Sequence, residues 1–132
     1  MSPVRMARME AAIRLVLEFN EAFNRHDTEG MLRLISEECV FEHSGPLPDG
    51  TSYRGKKEIC RFWKKCFRTA PDIQCEIEEI FGAATRCIVR RRYRGTNASE
   101  EGDGIRGVDI FQVRNGSICE ILSYVKSGAR RV

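Results

Sequence analysis

Gly107-Val108-Asp109-Ile110-Phe111-Gln112-Val113-Arg114-Asn115-Gly116-Ser117-Ile118-Cys119-Glu120-Ile121-Leu122-Ser123-Tyr124-Val125 decides how this chain folds. Two runs rich in β-branched and aromatic residues flank Asn115-Gly116, the strongest short-range signal for a β-hairpin. Alternate side chains of a strand share a face. Asp109, Phe111 and Val113 therefore stand together, with Val108, Ile110 and Gln112 opposite. Asp109 keeps company with large apolar groups, where an uncompensated carboxylate is costly. The turn decides what else stands there. A two-residue turn pairs Val113 with Ile118 and brings Glu120 to the Asp109 face. A type I turn with Gly116 as a left-handed bulge residue shifts the register by one. Cys119, Ile121, Ser123 and Val125 then join Asp109, and Glu120 faces out. Burying a second carboxylate is the costlier arrangement, so the bulged register is expected.

The chain has 132 residues, enough for a single domain, 1–132, with a true core. Charged residues make up 31% and hydrophobic residues 42%, the balance of a soluble globular protein. No apolar run approaches the roughly 20 residues of a membrane span. Met1 to Glu10 lacks the apolar core of a secretion signal, and a cytoplasmic location is the expectation. The six cysteines, at 39, 60, 66, 75, 87 and 119, contain no Cys-x-x-Cys, and there are only two histidines. That argues against a zinc site and for reduced, mostly buried thiols. The net charge is +3, and the run Arg90-Arg91-Arg92 with Arg94 alternates between two faces of a strand. Such an arrangement makes a poor phosphate-tracking stripe, so nucleic acid is not an expected partner.

Ahead of the hairpin, Val4 to Phe23 reads as a helix, with Phe19 and Phe23 one turn apart and turned inward. Asp27 or Thr28 caps a short second helix carrying Met31, Leu32 and Ile35, and His26 is expected in a solvated turn. Cys39 to His43 is a short strand with Phe41 and His43 on one face. Ser44 to Ser52, with two prolines and two glycines, reads as a loop. Gly55 to Phe67 is a third helix with Ile59, Phe62, Trp63 and Cys66 on its apolar stripe. Ile73 to Phe81 and Arg86 to Gly95 are strands. In the second, Cys87, Val89, Arg91 and Tyr93 form the more apolar face, which points inward and takes Arg91 with it; the alternative is an arginine snorkelling at the sheet edge. Asn97 to Gly104 is an acidic, glycine-rich connection, and Lys126 to Val132 a basic tail. The fold class is α+β: three N-terminal helices packed on a curved, mostly antiparallel sheet.

This order of elements resembles the SnoaL-like and ketosteroid-isomerase-like branch of the nuclear-transport-factor-2-like superfamily. The residues that carry the resemblance are Phe23-Asn24-Arg25-His26-Asp27, Val40-Phe41-Glu42-His43, Tyr53-Arg54-Gly55 and Gly107-Val108-Asp109-Ile110-Phe111 with Asn115-Gly116. It covers nearly the whole chain and implies a cone-shaped α+β barrel around one pocket. It also implies a homodimer through the outer sheet face, and no cofactor or metal. Members include isomerases, polyketide cyclases, dehydratases, epoxide hydrolases and non-catalytic binders, so the fold does not fix the function. Carried over by position, the family's protonated oxyanion-hole aspartate falls on Asp109 and its base aspartate on His43. Its oxyanion tyrosine falls on Phe19, which has no hydroxyl, a pocket aromatic falls on Trp63, and an apolar pocket position falls on Arg91. Half of the steroid isomerases' oxyanion hole is therefore missing. The Arg-Asp-Asp set of limonene-epoxide hydrolases is unmatched, because Ser123 stands where one aspartate would.

Strand parity places Phe41, His43, Arg91, Asp109 and Phe111 inward, and the resemblance makes inward mean pocket. The expected catalytic pair is His43 and Asp109, facing each other across that pocket. The expected ligand-binding residues are Phe19, Phe23, Phe41, Tyr53, Trp63, Val89, Arg91, Phe111, Ile121 and Ser123. Three readings remain open at this point. One is a proton-transfer enzyme acting on a small hydrophobic or cyclic substrate. Another is a non-catalytic binder of a small ligand, anionic or not, with Arg91 as counter-charge to an anionic one. The last is a closed core in which the polar residues satisfy one another.

Overall fold

The computed structural model describes residues 2–46, 48–95 and 105–126. Helix α1, Pro3–Asn24, starts one residue ahead of the expected Val4: Ser2 Oγ accepts from the Arg5 amide at 3.2 Å, with proline at the first turn. Helix α2, Thr28–Arg33, is capped by Asp27, whose Oδ1 accepts from the Gly30 amide at 2.9 Å. Strands β1, Ile35–His43, and β2, Thr51–Arg54, precede helix α3, Lys56–Thr69. Four strands follow: β3 Gln74–Ala83, β4 Arg86–Arg94, β5 Ile105–Arg114 and β6 Ser117–Val125.

The six strands form one sheet in the order β2-β1-β6-β5-β4-β3. All neighbours are antiparallel except β1 and β6, which run parallel. The helices cover the inner face. Val16, Phe19 and Phe23 of α1 and Ile59 and Trp63 of α3 meet Phe41, Val89, Phe111 and Ile121 from the sheet in one core.

Two local expectations need correcting. Ile35 was expected on the second helix. Instead it opens β1, paired with Ile118, while the Ile118 amide donates to Leu34 O at 2.9 Å; strand pairing overrides the helical spacing. Ser44 to Ser52 was expected to be all loop, but its end joins β2, where Thr51 pairs with His43 and Tyr53 with Phe41. The connection 97–104 and the tail beyond Lys126 lie outside the described residues.

The hairpin itself is built differently from the expected bulged turn. Asn115 and Gly116 both have positive φ, 52° and 76°, and Arg114 pairs with Ser117: this is a two-residue turn of the kind that suits the strand twist. Val113 pairs with Ile118, yet Gln112 pairs with Glu120, so Cys119 is an extra residue in β6. The bulge lies inside the strand rather than in the turn. It makes the same one-residue correction, and Ile121 and Ser123 arrive opposite Phe111 and Asp109 as expected. Near the turn the consequence is opposite: Ile118 is buried, not outward, and Cys119 is half-buried.

His26 is not a solvated turn residue. Its ring stacks on Phe67 with centroids 4.3 Å apart, and Nε2 donates to Ile73 O at 2.7 Å. It pins the α1–α2 turn to α3 and to the start of β3. Asn24 completes the clamp: its Oδ1 accepts from the Cys75 amide at 2.6 Å and its Nδ2 donates to Cys75 O at 3.0 Å.

Candidate functional site

Three polar side chains meet in the core. Arg91 of β4 is 1% exposed, Asp109 of β5 8% and Ser123 of β6 5%. Arg91 Nε donates to Asp109 Oδ2 at 2.7 Å, and Nη2 donates to Asp109 Oδ1 at 2.8 Å. Nη2 also donates to Ser123 Oγ at 2.7 Å. The guanidinium lies over the Tyr93 ring, with its central carbon 4.0 Å from the centroid. Burial opposes a charge here, but Tyr93 and Asp109 more than offset it and hold the Arg91 pKa above its ordinary value. The rim arginine offered by the sequence is thus excluded: Arg91 is a buried, paired cation.

Backbone register explains how the three converge. Asp109 pairs directly with Ser123 on one side and Val89 on the other, while Arg91 pairs with Gly107. Arg91 must therefore reach diagonally, across the space that Gly107 leaves by having no side chain. A Cβ at 107 would lie 2.6 Å from Tyr124 O and 3.1 Å from Arg91 Nη1.

Beside this triad is a small cavity of about 30 Å³, room for about two waters or a guest of a few heavy atoms. Its wall includes ten of the expected site residues: Phe19, Phe23, Phe41, Trp63, Val89, Arg91, Asp109, Phe111, Ile121 and Ser123. The rings contact one another edge-on, Phe19 with Trp63 at 6.4 Å and with Phe111 at 5.9 Å. Val16, Asn20, Cys75, Ile77 and Tyr93 also line it and were not foreseen as site residues. Tyr93 was legible from its parity with Arg91. Cys75 and Ile77 lie on the strand with the weakest alternation.

His43 and Tyr53 stand apart from the cavity. Tyr53 stacks on Phe41 at 5.8 Å and contacts Phe62 at 5.0 Å. His43 is half-buried against Phe62, with centroids 5.4 Å apart. It pairs with Ser123 in the β1–β6 ladder, and Ser123 pairs with Asp109, so His43 is two strands from Asp109 on the same face. The Gly45 amide donates to His43 Nδ1 at 3.1 Å. Nδ1 is then the lone-pair nitrogen and Nε2 carries the hydrogen. Burial pushes the His43 pKa below its ordinary 6.5, and the positive charge of Arg91 pushes the same way.

This geometry alters the roles expected of both residues. Both Asp109 oxygens accept from Arg91, so a protonated Asp109 donating to a ligand oxygen does not fit. The Nδ1 lone pair of His43 is already in use.

Helices packed on one face of a six-stranded, mostly antiparallel sheet, with a polar cluster in the core, define a small α+β domain. Residues 16–121 match the SnoaL-like domain, and the chain belongs to the SnoaL-like family. An NTF2-like protein of unknown function from Mesorhizobium loti is 34% identical, covering 91% of this chain and 94% of that one, with a TM-score of 0.77. A candidate ketosteroid isomerase from Kribbella flavida is 14% identical over 94% and 84% of the two chains, with a TM-score of 0.77. A candidate polyketide cyclase from Sinorhizobium meliloti is 18% identical over 83% and 93%, with a TM-score of 0.72. The last two likenesses concern the fold alone. A search of curated proteins finds no match.

Proposed function

We propose that this chain binds a small, largely apolar molecule in the cavity between the helices and the sheet, with Arg91 as its fixed polar contact. One observation carries this reading. A buried arginine, clamped by Asp109 and Ser123 and stacked on Tyr93, stands in the wall of a largely apolar cavity. A few placed polar groups in an apolar lining are how small-molecule sites are built. The cavity volume favours a small guest over a steroid-sized one.

Proton transfer of the ketosteroid isomerase or polyketide cyclase type is the second reading. A specific feature favours it: His43 stands on the inner face beside Ser123 and is held neutral, as a general base must be. To act, His43 must release the Gly45 amide, either to free the Nδ1 lone pair or to let the imidazole change tautomer. The test is a thermal-shift screen of small cyclic compounds, followed by NMR detection of deuterium uptake next to the carbonyl of any ketone that binds. Binding with no uptake leaves the first reading alone standing. No binding in the screen overturns both.

We also propose that two copies pair through the outer sheet face. There Leu122, Ile110, Ile88 and Phe81 are cross-strand neighbours in one row over β6, β5, β4 and β3.

A further inference from the structure

Arg91 has five N–H groups, of which three are used on Asp109 and Ser123. Nη1 is buried and has no hydrogen-bond partner among the described residues. Trp63 of α3, in the wall of the same cavity, is 5% exposed, and its Nε1 is likewise buried and without a partner among the described residues. Buried donors left unpaired are rare in folded proteins and call for an acceptor. Here two belong to residues facing one cavity, and each can only donate.

The charge balance narrows the acceptor further. Arg91 is already neutralised by a bidentate carboxylate. A second anion would enter a cavity whose net charge is zero, lose its hydration, and meet the carboxylate of Asp109 at close range. An uncharged acceptor meets no such penalty and still satisfies the donors. We propose that this cavity selects an uncharged guest bearing an acceptor oxygen, of the carbonyl, ether or epoxide kind, read by Trp63 Nε1 and Arg91 Nη1. The inference rests on the ligand-binding reading above and departs from the anionic ligand that one reading of the sequence allowed. It also makes Trp63 more than a wall of the pocket: its ring packs, and its N–H discriminates.

Three small probes of nearly the same planar shape separate the alternatives: acetone, isobutene and acetate. Trp63 is the single tryptophan, so the ¹⁵N-labelled protein shows one indole N–H signal, a direct reporter on the proposed donor. Acetone is expected to shift that signal saturably and to bind about tenfold or more tighter than isobutene, the order of gain for pairing a buried donor. Acetate is expected to leave it unmoved. Trp63→Phe, which keeps a ring and deletes the N–H, is expected to reduce the preference for acetone while retaining isobutene, read from cavity methyl signals. Acetate binding as tightly as acetone overturns the proposal and restores Arg91 as a counter-charge. Equal affinity for acetone and isobutene overturns it too, but leaves the binding reading intact. If none of the three perturbs a cavity residue, the binding reading falls, and this proposal with it.

Discussion

Arg91 and Asp109 are not direct cross-strand neighbours, yet they join through two hydrogen bonds of 2.7 and 2.8 Å in the interior of the sheet. Asp109 faces Val89 across the ladder and Arg91 faces Gly107, so the pair closes on the diagonal. The core is committed to this contact: each partner is the other's only full compensation for having left water.

Removing one partner should therefore be far worse than removing both. Asp109→Leu leaves a buried guanidinium with only Ser123 and Tyr93 for company, and should lower unfolding free energy by about 3–5 kcal/mol. Arg91→Met combined with Asp109→Leu should recover most of that loss, since a buried ion pair replaced by apolar groups is often close to neutral. Urea unfolding of the two single variants and the double variant checks this. Additive losses would mean that the two side chains are not coupled.

Gly107→Ala probes the same pair through the backbone. The added methyl meets Tyr124 O, a backbone atom that cannot step aside, and crowds Arg91 Nη1. Overpacking of this sort costs about 1–3 kcal/mol. The indole signal of Trp63 and the Arg91 side-chain N–H signals should move as well. A variant as stable as the parent, with those signals unmoved, would show that the diagonal reach has slack.

Much of this was legible before any coordinates. Period-two alternation put Asp109, Arg91 and Ser123 inward because one wrong step would have exposed Phe111, Val89 and Ile121. The bulge at Cys119 was not legible in position, since a register correction of one residue can be made in the turn or in the strand with the same effect on Ser123. The partnering was not legible either. Parity tells which face a side chain takes, but not which of several inward polar groups it reaches. His43 and Asp109 share a face, and the longer, forked side chain of Arg91 reached the carboxylate. Asn24 and His26 gave no periodic signal at all, because both act through backbone atoms of a distant segment, Cys75 and Ile73.

His43 should leave a mark on stability in acid. Its folded pKa lies below its ordinary 6.5, so on acidification the unfolded chain takes up the proton first. Stability is then lost as pH falls from about 6.5 toward the folded value, and is fully present above that window. His43→Gln should flatten this part of the profile without changing it above neutrality. The comparison is the denaturation midpoint of both proteins between pH 7.5 and 5. Parallel profiles would place the titrating group elsewhere.

The thiols should divide by burial. The pKa values of Cys39 and Cys75 are pushed up to about 12, and that of Cys87 to about 11, each chiefly by burial. At pH 8 these three carry almost no thiolate, the reactive form. Half-buried Cys60 and Cys119 should alkylate first in the native protein, and all six in denaturant. Peptide mass mapping after a short iodoacetamide pulse reads the order. Early labelling of Cys39 or Cys75 would mean that the core opens on that timescale.

The outer face of the sheet supplies the last prediction. Leu122 pairs with Ile110, Ile110 with Ile88, and Ile88 with Phe81, which makes one apolar row across four strands. Beside it stand Val108 and Tyr124, also paired; Tyr124 is 55% exposed and Phe81 49%. Ile118, which the expected register would have turned outward with Glu120 and Leu122, is buried instead and takes no part. The row is partly exposed, half-buried at Leu122, Ile110 and Ile88 and open at Phe81, and such a continuous apolar patch on a surface marks an interface. A two-fold pairing lets one patch cover itself. Salt-bridged Arg90 and Arg92, held by Glu78, flank the row and supply the polar rim such an interface needs. Light scattering at micromolar concentration should return twice the chain mass. Leu122→Arg should return the single-chain mass with an unchanged far-UV spectrum, because Leu122 faces away from the core. A parent protein that is monomeric at that concentration removes the dimer, and a Leu122→Arg variant that remains dimeric moves the interface off this face.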